Sequence, residues 1–220
     1  MWIVHPNRRG IVAWQTGNSV WLLEARGGSS PISLVDGERD GVAYVSLAAV
    51  DDQTLPELDE LFVRADELHL RYPQSGGQFG LRLMLRPIQS DADVLVLECV
   101  TSIETVLLDA HPTVDVLSAG QHQTIRADDE LAGPAISATI SETHSTAILL
   151  GPHDSPFTSD LSGGGNTGVR LRLFGEFLEK GVIRKARPWI VIDRSGQSIS
   201  PEQLKRWHQE LSFSPLPLTS

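Results

Sequence analysis

From residue 66 onward the chain alternates apolar and polar side chains with a period of two. Leu68, Leu70 and Tyr72 fall on one side and Glu67, His69 and Arg71 on the other, until Pro73-Gln-Ser-Gly-Gly ends the run. A strand with one buried face shows this rhythm, because successive side chains point to opposite faces of the pleat. The rhythm returns at Leu81, Leu83 and Leu85 against Arg82, Met84 and Arg86. After the polar turn at Ser90-Asp91 it predicts one long strand from Val94 to Asp109, continuing through His111-Pro112 to Leu117. There Leu95, Leu97, Cys99, Ile103 and Leu107 share a phase opposite Glu98, Ser102 and Glu104. A second long strand is predicted over Ile136 to Leu150, whose even phase carries Glu142 and His144 on an otherwise mostly apolar face. Gly80-Leu-Arg-Leu-Met-Leu and Gly168-Val-Arg-Leu-Arg-Leu read alike. They are not halves of a tandem copy, since the first precedes a His-Pro segment and the second follows a Pro-His segment.

Turn chemistry organises the rest. Ile11 to Gln15 and Ser19 to Glu24 flank Gly17-Asn18, a two-residue hairpin signal that sets Trp14 opposite Trp21. Shorter strands are predicted at Ile32 to Val35 and Val42 to Ala49, and Leu55, Leu58 and Leu61 after Pro56 predict a short helix. Val169 to Leu178 and Val182 to Asp193 bracket Glu179-Lys180-Gly181, which predicts a hairpin with glycine at its left-handed position. Gly120 to Pro134 reads as a polar connection. Gly151 to Gly168, with its triple glycine, reads as a long loop of a length that is usually mobile or functional. Ser200-Pro-Glu-Gln is a capping box with proline at the first helical position, followed by Leu204, Trp207 and Leu211 on one helical face.

Together these elements predict an all-β fold, an antiparallel β-sandwich with long strands over residues 1–199, with a C-terminal helix and tail, 200–220, packed on it. Two packed half-domains meeting near Gly120 to Pro134 are the alternative. No run approaches the roughly 18 apolar residues of a membrane helix. The start, Met1-Trp-Ile-Val-His-Pro, lacks the basic and apolar regions of a signal peptide, so a soluble, cytoplasmic protein is expected. A net charge of −10 argues against nucleic acid or anionic membrane as partners. The single Cys99 lies in the buried phase and reads as a small apolar group.

Three constellations carry candidate chemistry. His111, Glu142, His144 and His153, with Asp109 and Asp154, sit at strand ends or within a strand; they would converge if the two long strands were antiparallel neighbours, giving an acid/base pair of His144 or His111 with Glu142 under the Gly151 to Gly168 loop. Arg82, Arg86, Arg170 and Arg172, with Arg71, Arg184 and Arg187, sit mostly opposite the apolar phase. They would form a basic face for an anionic ligand, or pair across strands with Glu98, Glu104, Glu176 and Glu179. Trp14 and Trp21 would offer a stacking platform for a sugar ring, or close the core. No metal or cofactor motif is present. Gly163-x-Gly-x-x-Gly168 matches a dinucleotide fingerprint in letters only, because a strand rather than a helix follows it. The leading expectation is a non-enzymatic binding module for a carbohydrate or anionic ligand. An enzyme acting on a small polar substrate and a structural protein that forms homo-oligomers are the competing classes.

Overall fold

Gly17 takes φ +53°, the left-handed value that a two-residue hairpin loop needs at its first central position. Strand β2 (Ile11–Thr16) accordingly pairs with β3 (Ser19–Glu24), and Trp14 stands opposite Trp21. The structure, a computed structural model, describes residues 1–37, 43–51, 53–125, 135–141, 144–152, 154, 157–162 and 168–215, with the backbone alone for 122–125 and 135–141.

Two antiparallel sheets face each other. The first holds β1 (Trp2–Val4), β2, β3, β4 (Ile32–Asp36), β5 (Ala43–Ala49), β10 (Thr113–Ser118), β15 (Val169–Phe174) and β14 (Thr158–Asp160), in that spatial order. The second runs β11 (Gln121–Ile125), β12 (Ala135–Ser141), β13 (His144–Leu149), β17 (Trp189–Asp193), β9 (Val94–Glu104), β8 (Gly80–Ser90), β7 (Glu67–Tyr72) and β6 (Glu60–Arg64). Strand β16 (Arg184–Ala186) also pairs with β9, in line with β17. The break between β16 and β17 falls at Arg187-Pro188, where proline has no amide to give to the ladder.

The alternating phases fill the space between the sheets. Leu68, Leu83 and Leu95 of the second sheet and Trp21, Tyr44 and Leu171 of the first belong to one core cluster that runs from Trp2 to Ile192. Burial of each such side chain stabilises the fold by roughly 1.5–3 kcal/mol before the opposing chain entropy. A second cluster lies on the outer face of the second sheet. Helix α1 (Pro201–Phe213) sets Leu204, Trp207 and Leu211 on Val96, Trp189 and Val191. Its capping box is complete: Ser200 Oγ accepts from Gln203 N at 3.2 Å, and Gln203 Oε1 accepts from Ser200 N at 3.1 Å. Under the helix β9 is buried on both faces, which is why Val96 interrupts the alternation there.

Several expectations are corrected. Leu55 and Leu58 form no helix: their amides bond Gly28 O and Arg26 O, a tertiary pairing that supplants local helical bonds, and Leu61 belongs to β6. Strand β9 stops at Glu104, where the Thr105 hydroxyl caps Gln78 O at 2.7 Å. Leu107 is exposed, and His111-Pro112 leads into β10 of the opposite sheet. Ile136 to Leu150 divides into β12 and β13, which pair with each other with Ser141 opposite His144. The polar connection after Gly120 contains β11. The turn at Glu179 to Val182 forms, with Gly181 at φ +79°, but its flanks do not pair. Phe174 at φ +68° and Gly175 at φ +97° swing the chain out of the first sheet, so β15 and β16 end in different sheets. Among the described residues no helix is long and apolar enough to cross a membrane.

Candidate functional site

Helix α1 covers only part of the second sheet's outer face. The remainder, over β6, β7, β8, β9 and β16, is a groove of about 1110 Å³ bounded on one side by Ser214 and Pro215 at the end of the helix. Its floor follows from register. Phe62 pairs with His69, His69 with Met84, and Met84 with Val100, so one apolar and aromatic rung crosses four strands. The Phe62 and His69 rings stack at 4.7 Å with 8° between their planes. Two residues along the strands, roughly 6.7 Å away, lies a charged rung: Glu60, Arg71, Arg82, Ser102 and Lys185. On the other side lies a second, with Arg64 beside Glu67 and Arg86 beside Glu98.

The charges differ in how firmly they are held. Arg82 Nη2 meets Glu104 Oε1 at 2.9 Å with both side chains about half exposed, a pair worth at most about 1 kcal/mol. Arg82 can therefore exchange Glu104 for a ligand acceptor with little loss. Arg71 divides itself between Asp59 at 2.7 Å and Glu60 at 3.0 Å, again near solvent. Among the described residues Arg64 and Lys185 have no carboxylate within ion-pair distance. Arg86 is different. Its Nε and Nη2 bond Glu98 Oε2 at 3.0 and 2.8 Å, and Glu98 is fully buried. Glu98 Oε1 accepts from Trp189 Nε1 at 3.4 Å and lies 3.7 Å from Arg187 Nη1. Arg187, also buried, donates to Leu211 O, Ser214 O and Pro215 O, so it closes the C-terminal end of α1. Its backbone amide is accepted by the buried Asp154 carboxylate. Through Glu98 the groove floor and the helix tail share one polar network.

The arginines do not share one basic face. Arg82 and Arg86 line the groove, whereas Arg170 and Arg172 lie on the outer face of the first sheet, on the far side of the sandwich. There they clamp the buried Asp115 carboxylate, Arg170 Nε at 2.6 Å and Arg172 Nε at 2.9 Å. Cross-strand pairing thus takes Arg82 and Arg86, with Glu104 and Glu98, while Arg184 lies 3.8 Å from Glu176 of the bend after β15. The tryptophans face inward. Trp21 is fully buried against Tyr44 with the Arg194 guanidinium 3.8 Å from its ring centroid, and Trp14 packs edge-on against Trp2 while donating to Ser90 Oγ at 2.8 Å. Trp21 therefore has no free ring face for a sugar, and Trp14 is tied into the partly buried margin of the core.

His111 and His144 are likewise separated. His144 is buried edge-on against Tyr44, next to the Ser145 and Asp193 pair at the Val94 end of β9. His111 is exposed 3.5 Å from Asp109, beyond the Glu104 end. The length of β9, on the order of 30 Å, lies between them, and β17 separates β9 from β13. Glu142 and His153 lie outside the described residues. Among the described residues no group of three His, Cys, Asp or Glu could hold a metal ion. A second cleft of about 530 Å³, between the loops around Pro56 and Phe79, offers Glu57 and no cation.

The outward phases of β7 and β8 are legible in the sequence, but the groove is not. Phe62 was obscured by the leucine spacing around it, and Lys185 joins the floor only because β16 pairs with β9. No protein-family model matches the chain, and no curated protein is similar to it.

Proposed function

We propose that this protein is a non-enzymatic binding module whose groove takes a carbohydrate bearing acidic groups. The observation that carries the reading is the floor itself: an aromatic and apolar rung between two charged rungs, with Arg64 and Lys185, which have no ion-pair partner among the described residues, on opposite sides of it. A sugar ring presents an apolar face and a polar rim, so its apolar face packs on the edges of the stacked Phe62 and His69 rings and on Met84, while its hydroxyls reach the carboxylates of Glu60 and Glu67. Carboxylate or sulfate substituents are met by guanidinium or ammonium groups within one rung spacing. The protein has a net charge of −10, and in the groove Glu98, Asp59 and Glu104 neutralise Arg86, Arg71 and Arg82, which leaves Arg64 and Lys185 as the cations of the lining that a ligand's acidic groups would meet.

The test is a calorimetric and thermal-shift titration with uronic-acid and sulfated oligosaccharides and their neutral counterparts. The acidic forms are expected to raise the melting temperature and to bind more weakly as salt increases. Phe62→Ala and Lys185→Ala are each expected to weaken binding by about tenfold, a typical loss for a groove contact. Absence of any shift at about millimolar oligosaccharide overturns the proposal, because a ligand far above its Kd must stabilise the folded state.

A further inference from the structure

We propose that the β6 edge is a dimer interface for a second copy of this chain, joined about a two-fold axis at Phe62. The edge is regular. Strand β6 ends the second sheet and, among the described residues, pairs only with β7. It contains no proline and no register shift, and its two charged residues, Glu60 and Arg64, sit at its ends, whereas β1 and β14 at the ends of the first sheet are three residues each.

Its backbone is set for pairing. The two-residue turn at Ala65-Asp66 makes Arg64 and Glu67 a hydrogen-bonded pair, so by antiparallel alternation the amides of Phe62 and Glu60 also face β7. The N–H and C=O groups of Leu61 and Val63 then point away from the sheet, and among the described residues they meet no backbone partner.

The sequence of the strand, Glu60-Leu-Phe-Val-Arg64, is complementary to itself when reversed. Antiparallel pairing about Phe62 sets Leu61 against Val63 of the copy, giving hydrogen bonds in both directions. It also sets Glu60 against Arg64 of the copy, twice by symmetry, and the two Phe62 rings against each other at the close, non-hydrogen-bonded position. Arg64 has no ion-pair partner within its own chain among the described residues, and Glu60 meets Arg71 through one oxygen. Phe62 and Val63, 47% and 39% exposed in the single chain, become covered. The aromatic rungs of the two grooves then run on as one across the axis. The pairing itself does not depend on what the groove binds.

The experiment is sedimentation equilibrium of the full chain over a concentration series, with Glu60→Arg, Arg64→Glu and Val63→Pro as variants and circular dichroism as the folding check. The wild type is expected to self-associate to a dimer. Each charge reversal replaces two opposite-charge contacts with two like-charge contacts and is expected to weaken self-association by about tenfold, and Val63→Pro to abolish it by removing an edge donor. The decisive arm mixes the two charge variants. Glu60→Arg and Arg64→Glu chains are complementary to each other, so the mixture is expected to recover a heterodimer of near wild-type affinity. A wild type that stays monomeric up to about millimolar concentration overturns the proposal, as does a dimer indifferent to the substitutions or a charge-reversed mixture that does not associate.

Discussion

Replacing Glu98 by alanine removes the one carboxylate on which Arg86, Arg187 and Trp189 converge. Arg86 is 38% exposed and can turn toward solvent, but Arg187 is 3% exposed and held by three helix-end carbonyls. Its charge stays buried without its counter-ion. Breaking a buried pair by deleting one partner costs about 3–5 kcal/mol, most of it from the charge left behind. The Trp189 indole N–H also loses its acceptor, 3.4 Å away in the native protein. A destabilisation of about 4 kcal/mol is therefore expected, which in a domain of this size lowers Tm by about 10 °C. Glu98→Gln keeps an acceptor oxygen without the charge and is expected to lose about half as much. Urea denaturation with an unchanged m-value is the assay, carried through the cycle Glu98→Ala, Arg187→Ala and the double variant. Because the removed groups share one network, the double variant should be more stable than the sum of the single losses implies, by at least about 1 kcal/mol. A loss below about 1 kcal/mol for Glu98→Ala, or strict additivity, would refute the description of Glu98 as the anchor of Arg187.

Burial pushes the Cys99 thiol up to about 11. It is therefore expected to resist alkylation at about pH 8 in the folded protein and to react readily in urea; equal rates in the two states would contradict its burial. Tyr44 is raised to about 12, chiefly by burial with a contribution from Asp36, and burial raises Tyr72 further. Folding thus favours the protonated phenols: above the unfolded value of about 10 the unfolded chain holds fewer protons than the native one, so stability falls as pH rises from about 10 toward 12. Spectrophotometric titration should show phenolate appearing only with unfolding, and a reversible step near pH 10 in folded protein would count against this. Asp115→Ala leaves Arg170 and Arg172 without the acceptor they share on the first sheet. Since both guanidinium groups reach solvent, the expected loss is about 2 kcal/mol, less than for Glu98, and a larger loss by urea denaturation would show that the clamp is more dehydrated than its exposure indicates.

Local periodicity was enough wherever one face of an element met the core and the other met water. Leu81, Leu83 and Leu85 are buried opposite Arg82, Met84 and Arg86, and Ser200 caps the helix that its following residues announce. The same reasoning failed where a segment takes its hydrogen bonds from far along the chain. Leu55 and Leu58 have helical spacing but bond to residues 26–28. The stretch before Leu150 has the composition of one strand, yet folds as two because β12 finds its partner in β13.

The sequence by itself determined that the chain is a sandwich of alternating strands with one docked helix, because period and cap are properties of neighbouring residues. Which arginines share a surface, that His111 and His144 lie apart, and that Phe62, His69 and Met84 line one rung were decided only by tertiary structure. Register and sheet order are set by pairing between residues tens of positions apart, and a one-step change in either carries the same side chains to a different face of the molecule.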